Sequence, residues 1–266
     1  MTKVTSVSEP FVTVNREGAV GVLILNRPPA NSYNMDFVRQ FSAAIDQIGN
    51  DSEIRTVVVK SALEKFFCAG ADVKFFSEGT QQSNMEMIRA EHAALERIGR
   101  VPKIFIAMLG GHALGGGLEI ALACDLRFSG DGDFKLGLPE VTLGLLPGNG
   151  GTQRLSRLVG KSRAIDLMVN GRAVTANEAL SLGIVDRVFP QAELASKTME
   201  YAAIIARGAS YAIGRIKLAV NEGIELPLND GLAHERKMTE QVFLSEDAKE
   251  GISAFVGKRK PEFKGK

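Results

Sequence analysis

The chain has 266 residues, of which 45% are hydrophobic and 24% are charged, a composition typical of a globular protein that is soluble in water. Its 32 basic and 31 acidic side chains leave a net charge of +1, which gives no electrostatic support for binding nucleic acid or a membrane surface. The two cysteines, Cys68 and Cys124, are too few for a disulfide framework or a four-ligand zinc site, and they suit a reducing compartment.

The N-terminal stretch from Met1 to Pro10 is polar and shows neither the apolar core nor the arginine-rich pattern of a targeting peptide. The longest apolar run near mid-chain, Ile104 to Leu109, is too short to cross a bilayer. We therefore expect a soluble, cytoplasmic protein that has neither a membrane nor a nucleic acid as its partner.

Short β-rich runs come first along the chain. Residues 11–14 and 20–25 predict two strands, separated by a turn at residues 15–18. Asn26-Arg27-Pro28-Pro29 ends the second strand, because proline cannot donate to a β-ladder. Apolar residues at helical spacing follow, namely Phe37, Phe41, Ala44, Ile45 and Ile48.

Two further apolar runs, at residues 56–59 and 104–107, are typical of strands that are buried on both faces. A helical pattern over residues 85–98 lies between them. Repeated strand–helix units of this kind predict an α/β domain.

Helical patterns dominate from about residue 152, and only residues 184–188 predict another strand. Apolar residues in the stretch 193–255 are spaced to cover a partner surface. No long linker interrupts the chain, so we predict one domain. In it, residues 1–192 form the core with the active site, and residues 193–266 form a helical C-terminal region used for oligomerisation.

A glycine-rich stretch from Gly110 to Glu119 follows a predicted strand and leads into a helical pattern. Glycines let backbone N–H groups approach a ligand closely, and the start of a helix adds the positive end of its dipole. Such a site suits an anion or a developing oxyanion. A tight turn with close helix–strand packing is the alternative interpretation of an isolated glycine triplet.

Several familiar kinds of site are disfavoured by the sequence. Gly160-Lys161-Ser162 lacks the upstream glycine of a phosphate-binding loop, because that position holds Leu155, and no G-x-G-x-x-G or G-x-S-x-G motif occurs. The three histidines have no metal-ligand spacing, and His112 beside the glycines is most simply a structural residue. Cys68 lies in an apolar segment, which disfavours a reactive thiolate. Carboxylates remain as the candidates.

Two glutamates lie in apolar sequence near the glycine-rich stretch. Glu119 stands at the start of the predicted helix, and Glu140 follows Leu138-Pro139. Either carboxylate alone is more often structural, but burial would raise the pKa of each side chain. Together, beside a group of backbone donors, they indicate general acid–base catalysis.

An ordered set of motifs runs over nearly the whole chain. It comprises Leu25-Asn26-Arg27-Pro28, Phe67-Cys68-Ala69-Gly70-Ala71-Asp72, Ala113-Leu114-Gly115-Gly116-Gly117, Leu138-Pro139-Glu140, residues 147–155, Gly183-Ile184-Val185 and residues 255–261. This set resembles the crotonase superfamily, also called the enoyl-CoA hydratase/isomerase superfamily.

The resemblance implies a crotonase-like α/β fold, a spiral of ββα units followed by a helical C-terminal region that builds homotrimers, often paired into homohexamers. It also implies that the N–H groups of Ala71 and Gly116 form an oxyanion hole for the thioester carbonyl of an acyl-CoA substrate. Coenzyme A is then part of the substrate, and we expect no cofactor and no metal.

Within the superfamily, hydratases resembling this chain carry both glutamates, at the positions of Glu119 and Glu140, whereas many isomerases keep only the second. We therefore expect an enoyl-CoA hydratase. The alternative is an enoyl-CoA isomerase or another acyl-CoA thioester reaction on the same scaffold, such as a decarboxylation. A non-catalytic scaffold or RNA-binding member would be expected to have damaged acid–base or oxyanion positions, and none is damaged here.

The resemblance assigns a set of residues to substrate binding: Ala69, Ala71, Asp72, Val73, Lys74, Gly116 and Lys258. Lys258 matches a lysine that reaches the phosphate end of the coenzyme, and a solvated basic tail is an equal interpretation. Pro29 stands where a basic residue often contacts the coenzyme, so that contact lacks its usual donor here. Residues 75–98 are expected to shape the acyl pocket.

Overall fold

The computed structural model describes residues 10–266. The polar stretch in which we saw no targeting peptide therefore lies, apart from Pro10, outside the described residues. No candidate for a transmembrane helix occurs between residues 10 and 266.

The described chain begins with an antiparallel hairpin of strands β1 (Val12–Glu17) and β2 (Val20–Leu25). The predicted turn at residues 15–18 was placed too early, because residues 15–17 pair with β2 and only Gly18 and Ala19 turn the chain. Gly18 has a φ of 61°, which glycine adopts without the steric cost that a Cβ would add.

Seven further strands form two parallel groups. Four of them extend the hairpin, namely β3 (Thr56–Ser61), β5 (Ile104–Leu109), β7 (Leu126–Gly130) and β9 (Arg187–Phe189). The other three form a small second sheet, namely β4 (Phe66–Cys68), β6 (His112–Leu114) and β8 (Leu136–Gly137). The strand order is β1-β2-β3-β5-β7-β9 in the large sheet and β4-β6-β8 in the small one. In each of the successive pairs β3/β4, β5/β6 and β7/β8, the first strand therefore belongs to the large sheet and the second to the small sheet.

The helices follow the strand pairs and then continue alone. They are α1 (Met35–Asn50), α2 (Val73–Glu78), α3 (Gln81–Arg100), α4 (Gly116–Ala123), α5 (Gly151–Val159), α6 (Lys161–Val169), α7 (Ala176–Leu182), α8 (Leu194–Arg207), α9 (Ser210–Gly223), α10 (Leu228–Leu244) and α11 (Glu246–Val256). This arrangement confirms the predicted α/β fold with its spiral of ββα units.

Local sequence explains where the first long helices begin. The Asn34 side chain caps α1 by accepting the Phe37 N–H at 3.1 Å, and the apolar residues predicted from helical spacing are all buried. Thr80 and Ser83 form a reciprocal capping box at the start of α3. The buried stripe of α3 contains Met87, Glu91, Ala94, Leu95 and Ile98, so one acidic side chain lies among apolar ones.

The six-stranded sheet is covered on both faces. One face packs against α8 through Leu194, Ala202 and Ala206, although α8 belongs to the predicted C-terminal region. The other face packs against α1, α3 and the small sheet in the main core. The boundary at residue 192 stays a prediction.

The last predicted strand was misplaced. Ile184 and Val185 are buried in the core without pairing, and β9 begins only at Arg187. The two residues are apolar because they are buried, and an apolar run does not distinguish a paired strand from a packed turn.

A buried ion pair ties α9 to the sheet. The Lys217 ammonium lies 2.9 Å from the Asp125 carboxylate and also donates to the carbonyls of Ile98 and Lys103, at 2.6 and 2.8 Å. Asp125 in turn accepts the Phe105 N–H at 2.8 Å. Every donor of the ammonium is therefore used, which offsets the cost of burying its charge.

We predict that Lys217→Met lowers the free energy of unfolding by about 3–5 kcal/mol, because it leaves the Asp125 carboxylate buried without its partner. The measurement is chemical denaturation at pH 7. The control is Lys197→Met, since Lys197 is exposed and lies 3.9 Å from Glu200, and it should change stability by less than about 0.5 kcal/mol. Equal effects of the two substitutions would contradict a stabilising role for the buried pair.

Candidate active site

A cavity of about 480 Å³ opens beside the glycine-rich turn that precedes α4. Both predicted acid–base residues, Glu119 and Glu140, line this cavity. Both predicted backbone donors, Ala71 and Gly116, line it as well. The structure thus brings together residues from three separate segments of the chain, at positions 71, 116–119 and 140.

The two donor turns meet because their strands are parallel neighbours. Strand β4 ends just before Ala71, strand β6 ends just before Gly116, and the two strands pair. A Cβ built on Gly70 would lie 3.0 Å from the Gly116 nitrogen, so the turns are in contact. Gly70 has a φ of 89°, which favours glycine at this position.

The N–H groups of Ala71 and Gly116 are free to bind a ligand. Tyr33 and Ala71 form a parallel bridge, in which the Tyr33 N–H donates to Gly70 and the Asp72 N–H donates to Tyr33, at 2.9 and 2.8 Å. In this pattern the Ala71 N–H points away from Tyr33. Neither it nor the Gly116 N–H, the first of α4, donates to another residue between 10 and 266. Two such donors, one of them at a helix start, suit a developing oxyanion.

Glu119 is held firmly in the first turn of α4. Its residue surface is 1% exposed, and its Oε1 atom accepts the N–H groups of Asn149 and Gly151, each at 2.7 Å. Burial raises the pKa of this carboxyl above its usual value, while the two hydrogen bonds and the nearby charges of Arg154 and His92 act in the opposite direction. The two N–H donors fix the carboxylate in place and favour its charged form.

Glu140 begins a 3₁₀ turn (Glu140–Leu143) that follows β8. A Cβ built on Gly115 would lie 3.1 Å from its Oε1 atom, and its Oε2 atom is buried without a hydrogen-bond partner in the part of the chain that the structure describes. Burial raises the pKa of Glu140 to about 7, and the charge of Glu119 acts in the same direction. This side chain can therefore hold a proton near neutral pH.

The outer walls of the cavity are largely apolar. One wall comes from the segment expected to shape the acyl pocket, through Phe76, Asn84, Met85 and Ile88. The facing wall follows Glu140 and consists of Thr142, Leu143, Leu145 and Leu146. Such a lining suits a hydrocarbon group next to the polar centre.

The residues assigned to substrate binding fall into two groups. Ala69 and Val73 line the cavity with the two donors. Asp72 caps α2 and pairs with Arg27 at 3.1 Å, outside the lining.

Two of the assigned residues are lysines at the surface. Lys74 is exposed and lies 3.7 Å from Glu78. Lys258 is exposed after the end of α11, with a φ of 51°. Neither lysine belongs to the cavity lining, so their contact with the coenzyme stays a prediction.

Structural interpretations of the other candidate side chains hold. The His112 ring accepts the Lys135 N–H at 3.1 Å and packs against Phe66, with 5.2 Å between ring centroids. Cys68 and Cys124 are buried, and burial raises the pKa of each thiol to about 12. These thiols pack in the interior.

Sequence reasoning missed two polar residues of the cavity wall. Tyr33 lies between β2 and α1 and is 1% exposed, and its hydroxyl oxygen accepts the Asn149 side-chain N–H at 2.7 Å. Asn149 also supplies one of the backbone donors to Glu119. No sequence pattern links these residues, because 116 positions separate the tyrosine from the asparagine.

A third carboxyl group was missed behind the cavity. Glu91 on α3 is fully buried, and neither of its oxygens has a hydrogen-bond partner among residues 10–266. Burial raises the pKa of Glu91 to about 8, and the charge of Glu119 acts in the same direction. The helical spacing could have revealed the burial of Glu91, because this residue lies on the apolar stripe of α3 between Met87 and Leu95.

Comparisons with known proteins give matches over nearly the whole chain. The sequence model of the family described as "Enoyl-CoA hydratase/isomerase" matches residues 15–266. The short-chain-enoyl-CoA hydratase of Clostridium acetobutylicum is 38% identical over 252 residues, which cover 94% of this chain and 96% of that protein. The 2,3-dehydroadipyl-CoA hydratase of Escherichia coli is 38% identical over 254 residues, covering 95% and 98%.

The fold is equally similar to a solved structure. The crystal structure of an enoyl-CoA hydratase from Geobacillus kaustophilus superimposes with a TM-score of 0.95 at 47% identity, covering 97% of this chain and 98% of that one. Sequence and fold agree over almost the full length of the proteins compared. The chain therefore belongs to the enoyl-CoA hydratase/isomerase family.

Proposed function

We propose that the protein is an enoyl-CoA hydratase, a hydro-lyase that adds water across the double bond of a trans-2-enoyl-CoA to give a 3-hydroxyacyl-CoA. The observation that carries this proposal is the presence of two glutamates in one cavity with the free N–H groups of Ala71 and Gly116. Relatives that bear the name enoyl-CoA hydratase, at 38% and 47% identity, support the same reaction.

The free N–H groups would bind the thioester oxygen. When the oxygen of water attacks Cβ, electrons move through the conjugated system, and negative charge develops on the thioester oxygen. Fixed donors in a site that excludes water stabilise such an enolate by roughly 3 kcal/mol each. Ala71 and Gly116 come from separate turns, so their N–H groups can donate hydrogen bonds to one oxygen from two directions.

The two glutamates would divide the proton transfers. Glu119, whose carboxylate form is favoured by two N–H donors, takes a proton from water as the new C–O bond forms. Glu140, whose pKa near 7 lets it hold a proton, protonates Cα. Return of the proton from Glu119 to Glu140 restores the starting state. Only water and a proton are moved, so the reaction needs no cofactor, and coenzyme A is part of the substrate.

The remaining assignments follow the geometry of the entrance. The apolar walls support a hydrocarbon acyl group. Val73 lines the cavity and is 54% exposed, so it lies at the cavity entrance. The coenzyme would leave the site there, past Val73 and its neighbours Asp72 and Lys74. The ammonium groups of Lys74 and Lys258 would contact phosphates of the coenzyme.

The C-terminal helices would build the oligomer. Large apolar side chains stand exposed on α10 and α11, with Leu244 at 79% and Phe255 at 85%. A cluster of this kind is typical of a surface that is buried between subunits. We propose a homotrimer, or a homohexamer made from two trimers.

We predict that Glu119→Gln and Glu140→Gln each lower kcat for crotonyl-CoA hydration by about 100-fold or more, because glutamine has the shape of glutamate but cannot exchange a proton. KM should change little, since the oxyanion donors remain. The double variant should lose far less than the product of the single losses, because the two groups act on one water. Loss of the conjugated absorbance of crotonyl-CoA gives the rate.

The matched control is Glu53→Gln, which changes an exposed glutamate next to Arg16 and should keep the parent rate. Full hydration activity in Glu119→Gln would refute the proposed role of that residue. An isomerase would behave differently, since Glu140→Gln would abolish conversion of 3-enoyl-CoA to 2-enoyl-CoA while Glu119→Gln would leave it largely intact.

A further prediction concerns the dependence of the rate on pH. Glu140 must be protonated to donate to Cα, so kcat/KM should fall as the pH rises above about 7. Glu119 must be ionised to accept a proton, so the rate should also fall on the acid side. The measurement is kcat/KM for crotonyl-CoA between pH 5 and pH 9. A rate that stays constant from pH 6 to pH 9 would contradict the proposed division of roles.

The last prediction of this section concerns assembly. Static light scattering at micromolar concentration should give three or six times the monomer mass. Leu244→Asp combined with Phe255→Asp should reduce that mass, because charged groups in an apolar interface cost several kcal/mol to desolvate. Circular dichroism should show that the variant keeps its helices. A monomeric parent protein would overturn the proposed assembly.

A further inference from the structure

Tyr33 contacts the first half of the proposed oxyanion hole through its backbone. Its N–H donates to the Gly70 carbonyl at 2.9 Å, and its carbonyl accepts the Asp72 N–H at 2.8 Å. The peptide groups on both sides of Ala71 are therefore hydrogen-bonded to the backbone of Tyr33. In this parallel bridge the N–H of Ala71, a residue of the cavity lining, points away from Tyr33.

The side chain of Tyr33 contacts the second half. A Cβ built on Gly116 would overlap the Tyr33 hydroxyl oxygen, so this oxygen lies directly against the Gly116 backbone. Any residue larger than glycine at position 116 would displace it. The one tyrosine therefore touches both turns that supply the donors.

The hydroxyl group of Tyr33 also connects to Glu119. It accepts the side-chain N–H of Asn149 at 2.7 Å, and the backbone N–H of Asn149 donates to Glu119 Oε1 at 2.7 Å. All of these groups are buried. Asn149 thus joins the tyrosine to the carboxylate through two short hydrogen bonds.

Burial keeps the hydroxyl group of Tyr33 neutral. Burial raises the pKa of Tyr33 well above its usual value, and Glu91 on α3, Glu119 on α4 and Cys68 on β4 act in the same direction. The hydrogen bond from Asn149 opposes this change without cancelling it. The hydroxyl is therefore a fixed, uncharged dipole over the pH range in which the glutamates titrate.

We propose that Tyr33 is a positioning residue, whose hydroxyl group holds Glu119, through Asn149, at a fixed distance from the Gly116 side of the oxyanion hole. The inference rests on the proposed function, because it gives Glu119 and the two N–H groups their roles. Reacting groups must be aligned closely for addition to Cβ, and a small displacement of one of them slows the reaction.

A purely space-filling role for the ring would predict a different outcome. The Tyr33 ring packs beside Phe37, with 6.2 Å between ring centroids, and phenylalanine would keep that packing. Tyr33→Phe removes only the hydroxyl group and leaves the backbone bridge to Ala71 intact. The substitution therefore separates positioning from packing.

The first experiment measures crotonyl-CoA hydration by Tyr33→Phe. We expect kcat to fall about tenfold, which corresponds to the loss of one hydrogen bond that matters in the transition state, with KM within about twofold of the parent. The matched control is Tyr211→Phe, which removes a hydroxyl that accepts from Arg215 at 3.3 Å on α9, and it should leave both parameters unchanged.

A second variant tests the route through Asn149. Asn149→Ala removes the side chain that donates to Tyr33 but keeps the backbone N–H that donates to Glu119. It should reproduce the loss seen in Tyr33→Phe, and the two substitutions combined should lose little more than either alone. Additive losses would show that the two residues act separately and would overturn the proposal.

Combination with Glu119→Gln tests the end of the route. Once Glu119 can no longer exchange a proton, its position matters less, so Tyr33→Phe should cost at most about twofold in that background. A general weakening of the fold would instead cost the same tenfold in both backgrounds. That outcome would overturn the proposal.

A spectroscopic measurement separates this inference from the proposed function. p-Dimethylaminocinnamoyl-CoA is a chromophoric enoyl thioester whose absorbance moves to longer wavelength when donors polarise its carbonyl group. We expect the same red shift on binding to the parent protein and to Tyr33→Phe, because the aromatic ring still packs against the Gly116 turn and the backbone bridge still holds Ala71. A parent protein that fails to hydrate crotonyl-CoA overturns the hydratase assignment alone. A red shift that is lost in Tyr33→Phe would show that the hydroxyl acts on the oxyanion hole and not on Glu119, and it would overturn the proposed role of Tyr33.

Discussion

Parallel pairing of three very short strands is the constraint on which the site depends. Strands β4, β6 and β8 contain two or three residues each, and each ends where a part of the site begins. Because the carboxyl ends of parallel strands meet at one edge of a sheet, the turns after them bring Ala71, Gly116 and Glu140 together. The larger sheet determines where these short strands lie, because β3, β5 and β7 belong to the larger sheet and each is followed along the chain by one strand of the small sheet.

Close packing around the glycines completes the geometry. A Cβ on Gly117 would overlap the Cys68 carbonyl oxygen, so α4 begins directly against β4. This approach brings the start of α4, with its free N–H groups, to the turn that carries Ala71. Glu119 then emerges one turn later from the same helix, next to backbone donors that residues 149 and 151 supply. The two cavity glutamates have unlike surroundings, and in the proposed reaction this difference would let one accept a proton while the other donates.

Much of the architecture could be predicted from the sequence because it depends on periodicity. The buried face of α1 follows from five apolar residues at helical spacing, and the long strands follow from apolar runs. Strands β4, β6 and β8 could not be predicted in this way, because two or three residues are too few to show a period. The candidate glutamates were visible as acids in apolar sequence. Tyr33 and Asn149 were not, since their hydrogen bond depends entirely on the fold.

The buried carboxyl group of Glu91 has a consequence for the folding reaction itself. An exposed glutamate titrates near 4.5, whereas in the folded protein the pKa of Glu91 is about 8. At neutral pH the side chain is ionised in the unfolded chain and protonated in the folded one, so folding takes up a proton from the solvent. The contribution of Glu91 to stability is therefore greatest below about pH 4.5 and declines until the pH passes about 8. In calorimetric terms, the heat of refolding at pH 7 includes the ionisation heat of whichever buffer supplies that proton.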